Sequence, residues 1–362
     1  MIKKVLIVLD SFNIGGAERQ AIILAAGLRD LGYDVELLAL GIEGNGTSFI
    51  VEKDLPYGNL NLTLYTHHLS IIKRNNKVLR KVLKEKKPGV VLPFTYWPNL
   101  YCNAVKKRAK IPFCVWNQRD LGFNLGSYND EGNIIQNTDW IIGNSQSAVD
   151  VVRKKCGDKI IKSKVVHNGI PNHFLRKEPR AITNHPMTAV MVANIQKNKD
   201  HETLIRSWKL LKDRLGSDCP RLKLVGAKRD TYAGLKDLVD SLDLNCVLEF
   251  TGMIDNVCSV ISKADFSVFS SNSEGSPNGL LECMAARLPV VATDIDSIRE
   301  ALGQNCHFLV PINSPDIFAE KIIALISDKQ NMLRVGNLNY EHIVEHFSYD
   351  NMIANYVDVI ER

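Results

Sequence analysis

Short apolar runs alternate with segments of helical periodicity along nearly the whole chain, and the alternation occurs twice. In the first series the apolar runs are 5–9, 35–40, 90–93, 111–116, 140–143 and 164–167. Between them, residues 17–30, 77–87, 98–110 and 148–156 place apolar side chains at helical spacing, with stop signals at Gly32, Pro88-Gly89 and Gly157. A polar stretch, 176–186, carries prolines at 179 and 186 and reads as a linker. The second series follows, with strand-like runs at 189–193, 222–225, 247–251, 266–269 and 290–293 and helical segments at 201–215, 232–242, 258–263 and 279–286. Continuous apolar runs of this length are buried on both faces, and joining them by helices makes the sheets parallel. A length of 362 residues suits about two such domains. The expected architecture is α/β: two Rossmann-like, doubly wound domains facing across a cleft, 1–175 and 187–345 around the linker 176–186. In such sheets ligands sit outside the carboxyl ends of the strands.

Composition narrows the class. The run 5–9 ends at Asp10 and is shorter than the roughly 7–15 residues of a signal-peptide core, so it is expected to be a buried first strand. No stretch approaches the roughly 18 apolar residues of a membrane helix. The eight cysteines form no CxxC pair and are expected to be reduced and mostly buried. Charge is uneven: residues 1–175 hold 24 Lys+Arg against 15 Asp+Glu, whereas the remainder holds 21 against 25. A basic first half suits an anionic partner.

The densest chemistry lies at residues 271–285, SNSEGSPNGLLECMA, directly after the run 266–269. Ser276-Pro277 suits a helix start. Asn278-Gly279 places small residues beside first-turn amides, which with the helix dipole bind phosphate. Glu274 precedes the helix, and Glu282 lies one turn in, above Asn278 on the same face. Carboxylates repel phosphate, so their presence asks for donors nearby, and sugar hydroxyls are such donors.

Glu274 to Glu282, with Met284-Ala285 and residues 288–294, resembles the E-x7-E region of retaining glycosyltransferases of family 4, which have the GT-B fold. Gly15-Gly16-Ala17-Glu18-Arg19 is similar to that family's first glycine-rich loop. Asn144-Ser145 and 167–170 resemble the end of its first domain, and 192–194 with 199–204 its phosphate loop. The motifs at 224–226, 250–252 and 264–265 occur in the family's order. The resemblance implies a nucleotide-sugar donor held by the second domain. Glu282 would hold ribose hydroxyls. The amides of Gly275, Ser276, Pro277, Asn278, Gly279 and Leu280 as a loop, with Lys199 and the position of Asn194, would hold the diphosphate. Glu274 would touch the transferred sugar, and Gly252 to Ile254 would lie beside the base. Gly15 and Gly16 would let the first loop approach the phosphates. Glu274, Lys199 and Arg119 are the implied catalytic residues. The terminal segment 346–362 would form a helix crossing back to the first domain. No metal and no cofactor are expected. Three departures stand out: Asn194 replaces a usual Arg, residues 116–120 lack the usual His and offer Arg119, and Arg287 replaces a usual Gly.

Other signals are weaker. His342 and His346 fit the H-x-x-E-H spacing but read as an exposed C-terminal helix. Neither a G-x-G-x-x-G nor a P-loop string occurs. His67-His68 reads as a surface pair. Residues 73–87 hold eight basic residues and one acid, Glu85. Aromatics do not interleave with this run, so nucleic acid is not expected. An anionic membrane surface contacting Lys73 to Lys87 is expected instead. The sequence thus predicts a retaining glycosyltransferase of surface-polysaccharide biosynthesis (capsule or lipopolysaccharide). It would move a hexose or N-acetylhexosamine, from a UDP-sugar by preference, to a hydroxyl of a growing lipid-linked glycan. Its expected place is cytoplasmic, peripheral on the inner membrane face. A GT-B sugar-nucleotide epimerase and a non-catalytic nucleotide- or glycan-binding subunit are the alternatives.

Overall fold

The computed structural model describes residues 3–13, 15–66, 68–128, 130–157, 159–182 and 185–362, which leaves His67 outside the described residues. The chain divides into two compact units, Met1–Gly169 with Asp350–Arg362, and Ile170–Tyr349.

The first unit is built on a seven-stranded sheet. Its strands are β1 (Lys4–Leu9), β2 (Asp34–Ala39), β3 (Tyr57–Asn59), β4 (Val90–Pro93), β5 (Phe113–Gln118), β6 (Trp140–Gly143) and β7 (Lys162–Val165). The order is β3-β2-β1-β4-β5-β6-β7, and every pairing is parallel. The chain winds outward from β1 in one direction and then from β4 in the other, so the switch point lies between them. Val5 to Leu9 are each 0% exposed, which is why this run reads as unbroken apolar rather than alternating. The helix Tyr349–Ile360 closes this unit. Asn117 Nδ2 donates to Tyr356 Oη at 3.0 Å, Tyr356 stacks on Phe94, and Lys164 pairs with Asp358 at 2.6 Å.

The basic helix runs from Leu69 to Lys86, eight residues longer at its start than the segment 77–87 read from periodicity. Its buried face includes a polar residue, Asn75, whose Nδ2 donates to Thr63 O at 2.9 Å and to Tyr101 Oη at 3.0 Å. A polar side chain on the core face hides the helical period.

The second unit holds a six-stranded parallel sheet ordered β10-β9-β8-β11-β12-β13. The strands are β8 (Thr188–Val192), β9 (Arg221–Val225), β10 (Leu248–Gly252), β11 (Phe266–Phe269), β12 (Val290–Thr293) and β13 (Leu309–Val310). Its switch point lies between β8 and β11. The order repeats that of β3 to β6 in the first unit, so both units are Rossmann-like. The polar stretch after residue 175 is bound along this unit rather than free. Arg180 donates to the carbonyls of Ala286 and Ser262, both at 3.0 Å, and Arg287 Nε donates to Arg176 O at 2.8 Å. Arg287 itself adopts φ +61°, the left-handed conformation that glycine takes most easily, and its guanidinium lies 3.8 Å from the Tyr340 ring centre. The helix Lys329–His346 is half-buried, not exposed as expected. Met332, Val335, Asn339 and Ile343 face the core, and the His342 ring packs over Gly303.

Candidate functional site

The loops after β8 and β11 meet at the switch point of the second unit. The turn Lys197–Lys199 is laced to the segment after β11 by backbone and side-chain bonds. Asn272 N donates to Asn198 O at 2.9 Å, Asn198 Nδ2 to Ser273 O at 3.2 Å, and Ser270 Oγ to Lys199 O at 2.9 Å. This lacing sets Lys199 Nζ directly on Glu274 Oε1. The same oxygen accepts from Ser271 Oγ at 2.7 Å, and Thr293 Oγ1 braces that loop by donating to Ser271 O at 2.6 Å. Glu274 and Glu282 are each 7% exposed. A carboxylate so buried needs a compensating charge or donor, and for Glu274 Lys199 and Ser271 supply both.

Residues 275–280 lead into the helix Asn278–Ala285, whose first residue follows Pro277 with no side-chain cap. Leu280 N donates to Pro277 O at 3.0 Å and Asn278 N to Ser276 O at 3.1 Å. Proline has no amide hydrogen. The amides of Asn278 and Leu280 are therefore engaged within the segment, and Gly275 and Gly279 are buried. Gly279 has a packing reason as well: a Cβ there would come within 2.0 Å of Val192 O. The helix start is pressed against the end of β8, near Lys199.

The remaining sequence-derived residues of this unit line the ends of neighbouring strands. Asn194 Oδ1 accepts from Ala227 N at 3.1 Å, so this neutral side chain ties the β8 and β9 loops together. Gly252, at φ +74°, accepts from Gly226 N at 3.0 Å, and Ile254 is half-buried against the core.

In the first unit Gly15 and Gly16 open the helix Gly16–Asp30. Glu18 folds its carboxylate back onto Gly15, where burial pushes its pKa up. Arg119 follows β5 and is buried. It donates to Asn168 Oδ1, reaches Tyr356 Oη at 3.3 Å and lies over the Phe94 ring, and burial lowers its pKa.

Two polar features of that unit were not singled out from sequence. Asp10, the first residue after β1, accepts from Thr95 Oγ1 at 2.7 Å. Burial pushes its pKa up to about 7, with Glu18 and Asp120 adding to the rise. Thr95 adopts φ +70°, a costly conformation for a β-branched residue. The available signal was position alone: Asp10 terminates the first apolar run.

The second unit thus sets a lysine and the start of a helix beside two buried carboxylates, an arrangement that suits an anion joined to a hydroxylated group. Residues 14–173 match the family described as Glycosyltransferase Family 4, and residues 186–328 that described as Glycosyl transferases group 1. Each half of the chain thus matches a glycosyltransferase family model. The putative glycosyltransferase EpsD of Bacillus subtilis is 31% identical over 166 residues, 44% of this chain and 42% of that protein. An uncharacterized glycosyltransferase of Haemophilus influenzae is 23% identical over 290 residues, 77% of each. The match therefore spans less than half the length of the first relative and about three quarters of the second. Anabaena Alr3699/HepE, solved in complex with UDP and glucose, aligns over 99% of both chains with a TM-score of 0.86 at 16% identity. That likeness shows the fold, two Rossmann-like domains in one chain.

Proposed function

We propose that this chain is a retaining glycosyltransferase that moves a hexose or N-acetylhexosamine from a nucleotide-sugar donor to a hydroxyl of a growing surface glycan. The observation that carries the reading is the buried Lys199–Glu274 contact, set beside the start of the helix Asn278–Ala285 at the second unit's switch point. In transfer, the acceptor oxygen bonds to the anomeric carbon as the bond from that carbon to the diphosphate oxygen breaks. The acceptor proton passes to the departing diphosphate. Charge grows on that diphosphate, and Lys199 with the start of the helix Asn278–Ala285 would stabilise it. Glu274 would accept hydrogen bonds from the transferred sugar, and Glu282 from the ribose. Arg119 is assigned to the acceptor side. UDP is the favoured nucleotide, in keeping with the neighbour solved with UDP.

The acceptor is read as lipid-linked. One relative, from Campylobacter jejuni, carries a diphospho-undecaprenol acceptor in its name and is 25% identical over 52% of this chain. No described helix is long and apolar enough to cross a membrane. The exposed Lys73, Arg74, Lys77, Lys81 and Lys84 would instead rest the first unit on an anionic membrane face.

A thermal-shift panel with UDP, GDP, ADP, CMP and NAD tests the donor site. A ligand at 100 times its dissociation constant adds about 2.7 kcal/mol of stability. The expected result is a shift with one nucleoside diphosphate, UDP, and loss of turnover in Glu274→Ala. No shift with any of the five would move the binding-subunit reading to first place. Conversion of the donor without acceptor would favour the epimerase.

A further inference from the structure

The charges gathered at the second unit's switch point do not by themselves suit the ligand proposed for it. A nucleoside diphosphate joined to a sugar is a dianion. Lys199 is already matched by Glu274, and Glu282 adds a further buried carboxylate. The start of the helix Asn278–Ala285 contributes only a partial positive charge. A dianion set against one cation and two carboxylates needs another cation within reach.

The loops beyond the carboxyl ends of the strands hold few. Residues 253–256 after β10 and 270–277 after β11 contain no lysine or arginine. Arg299, after β12, is paired with Asp294. Lys197, after β8, lines the groove between the helices His201–Leu215 and Tyr232–Ser241, which neither Lys199 nor Glu274 lines. The loop after β9 remains, with Lys228 and Arg229.

That loop is pinned beside the end of β8. Ala193 N donates to Val225 O at 2.9 Å, Ile195 N to Ala227 O at 2.9 Å, and Arg229 N to Ile195 O at 3.1 Å. Ile195 and Lys228 thereby form a parallel bridge beyond both strands. Asn194 Oδ1, which holds Ala227 N, adds a side-chain tie. A Cβ on Gly226 would come within 2.1 Å of Ala193 O, so the two segments touch closely. On the other side of β8, Gly279 is pressed against Val192 O. The end of β8 therefore lies between the helix start and Lys228. A ligand that begins at Lys199 and crosses the end of β8 toward Gly252 passes Lys228. This side chain is exposed and forms no ion pair among the described residues. Its ammonium rests 4.5 Å from the Tyr232 ring centre, and Tyr232 is held edge-on against Phe250 of β10 at 5.3 Å. A surface cation on an aromatic face is weakly held and can turn to a phosphate.

We infer that Lys228 supplies the further cation and binds the phosphate nearer the nucleoside, leaving Lys199 to the phosphate nearer the sugar. The inference rests on the donor reading given above. UDP, GDP and ADP, titrated calorimetrically into the full chain, are the probes, and the variants are Lys228→Gln, Lys228→Arg and Arg229→Gln. Arg229 carries the same charge one residue away, so it reports the effect of charge alone. For the nucleotide that the wild type binds, Lys228→Gln should weaken binding by about tenfold or more, and the other two by about threefold or less. The corresponding monophosphate should lose affinity in Lys228→Gln as well. Affinity should also fall less steeply with salt in Lys228→Gln than in the wild type. If Lys228→Gln melts below the wild type, Lys228→Met keeps the stem on Tyr232 and removes the charge. Equal losses in Lys228→Gln and Arg229→Gln, a loss well short of tenfold, or a loss confined to the diphosphate overturns this inference and leaves the donor reading standing. A wild type that binds none of the three diphosphates removes the donor reading and this inference with it.

Discussion

Asp10 and His201 are titratable side chains whose burial has opposite consequences for stability. The folded-state pKa of Asp10 lies at about 7, above its ordinary carboxylate value, so between about pH 4 and 7 the folded chain holds a proton that the unfolded chain has released. Stability from this group therefore falls as pH rises through that window. His201 is depressed to about 3, so from pH 6.5 down to 3 the unfolded chain takes up a proton that the folded chain refuses. Its contribution is lost as pH falls. Asp10→Asn should stabilise the chain at pH 8, on the order of a few kcal/mol, and clearly less at pH 5. Urea unfolding at both pH values checks this, and an equal gain at the two would show that Asp10 is ionised in the fold. The location of Asp10 was legible, because it ends an apolar run. Its burial was not, because Thr95 lies 85 residues further along the chain. The pairing of Lys199 with Glu274, 75 residues apart, depends in the same way on two loops meeting.

At the level of elements, most strands and most helices were legible because their signals are local: apolar runs, helical period and glycine or proline stops. The edge strands β3 and β13, three and two residues long, were not read because they are too short to carry such a run. The helix Asn278–Ala285 is a case where the residues were found for a partial reason. Gly279 read as room for a ligand, and the fold shows that it is also room for Val192 O. Gly279→Ala should cost about 1–3 kcal/mol through that clash and should weaken nucleotide binding, since the helix start must back away from β8. A denaturation curve and a UDP titration read the two effects, and a fully stable variant would mean the contact relaxes freely. The helix Leu69–Lys86 makes a different prediction. If its exposed basic side chains meet a membrane, each contributes roughly 1 kcal/mol near an anionic surface, and salt screens the effect. The chain should co-sediment with phosphatidylserine-containing vesicles at low salt and release from them at high salt. Equal binding to neutral phosphatidylcholine vesicles would remove the membrane from the account.

For the whole molecule, the doubling of the strand–helix alternation was enough to expect two Rossmann-like domains. It could not say what the last helix packs on. Apolar residues at 352, 353, 356, 359 and 360 mark one buried face, and nothing in their spacing names the surface that covers it. In the structure, residues from Asp350 onward belong to the first unit and reach Phe94, Asn117 and Lys164. A chain ended after residue 349 should lose stability in the first unit and keep the second intact. Hydrogen exchange should then rise in β4 to β6 and stay protected in β8, β9 and β11. Uniform loss of protection would mean that the units do not fold independently.

The same division gives an order to events during synthesis. The second unit is contiguous, so its core can close as soon as residue 349 has cleared the ribosome tunnel. The first unit begins earlier and finishes later. Its opening strands must wait, incomplete, while an entire domain is translated and folded between them and the thirteen residues that complete them. A nascent chain of this design leaves the seat of Tyr356 uncovered while the whole second unit is translated.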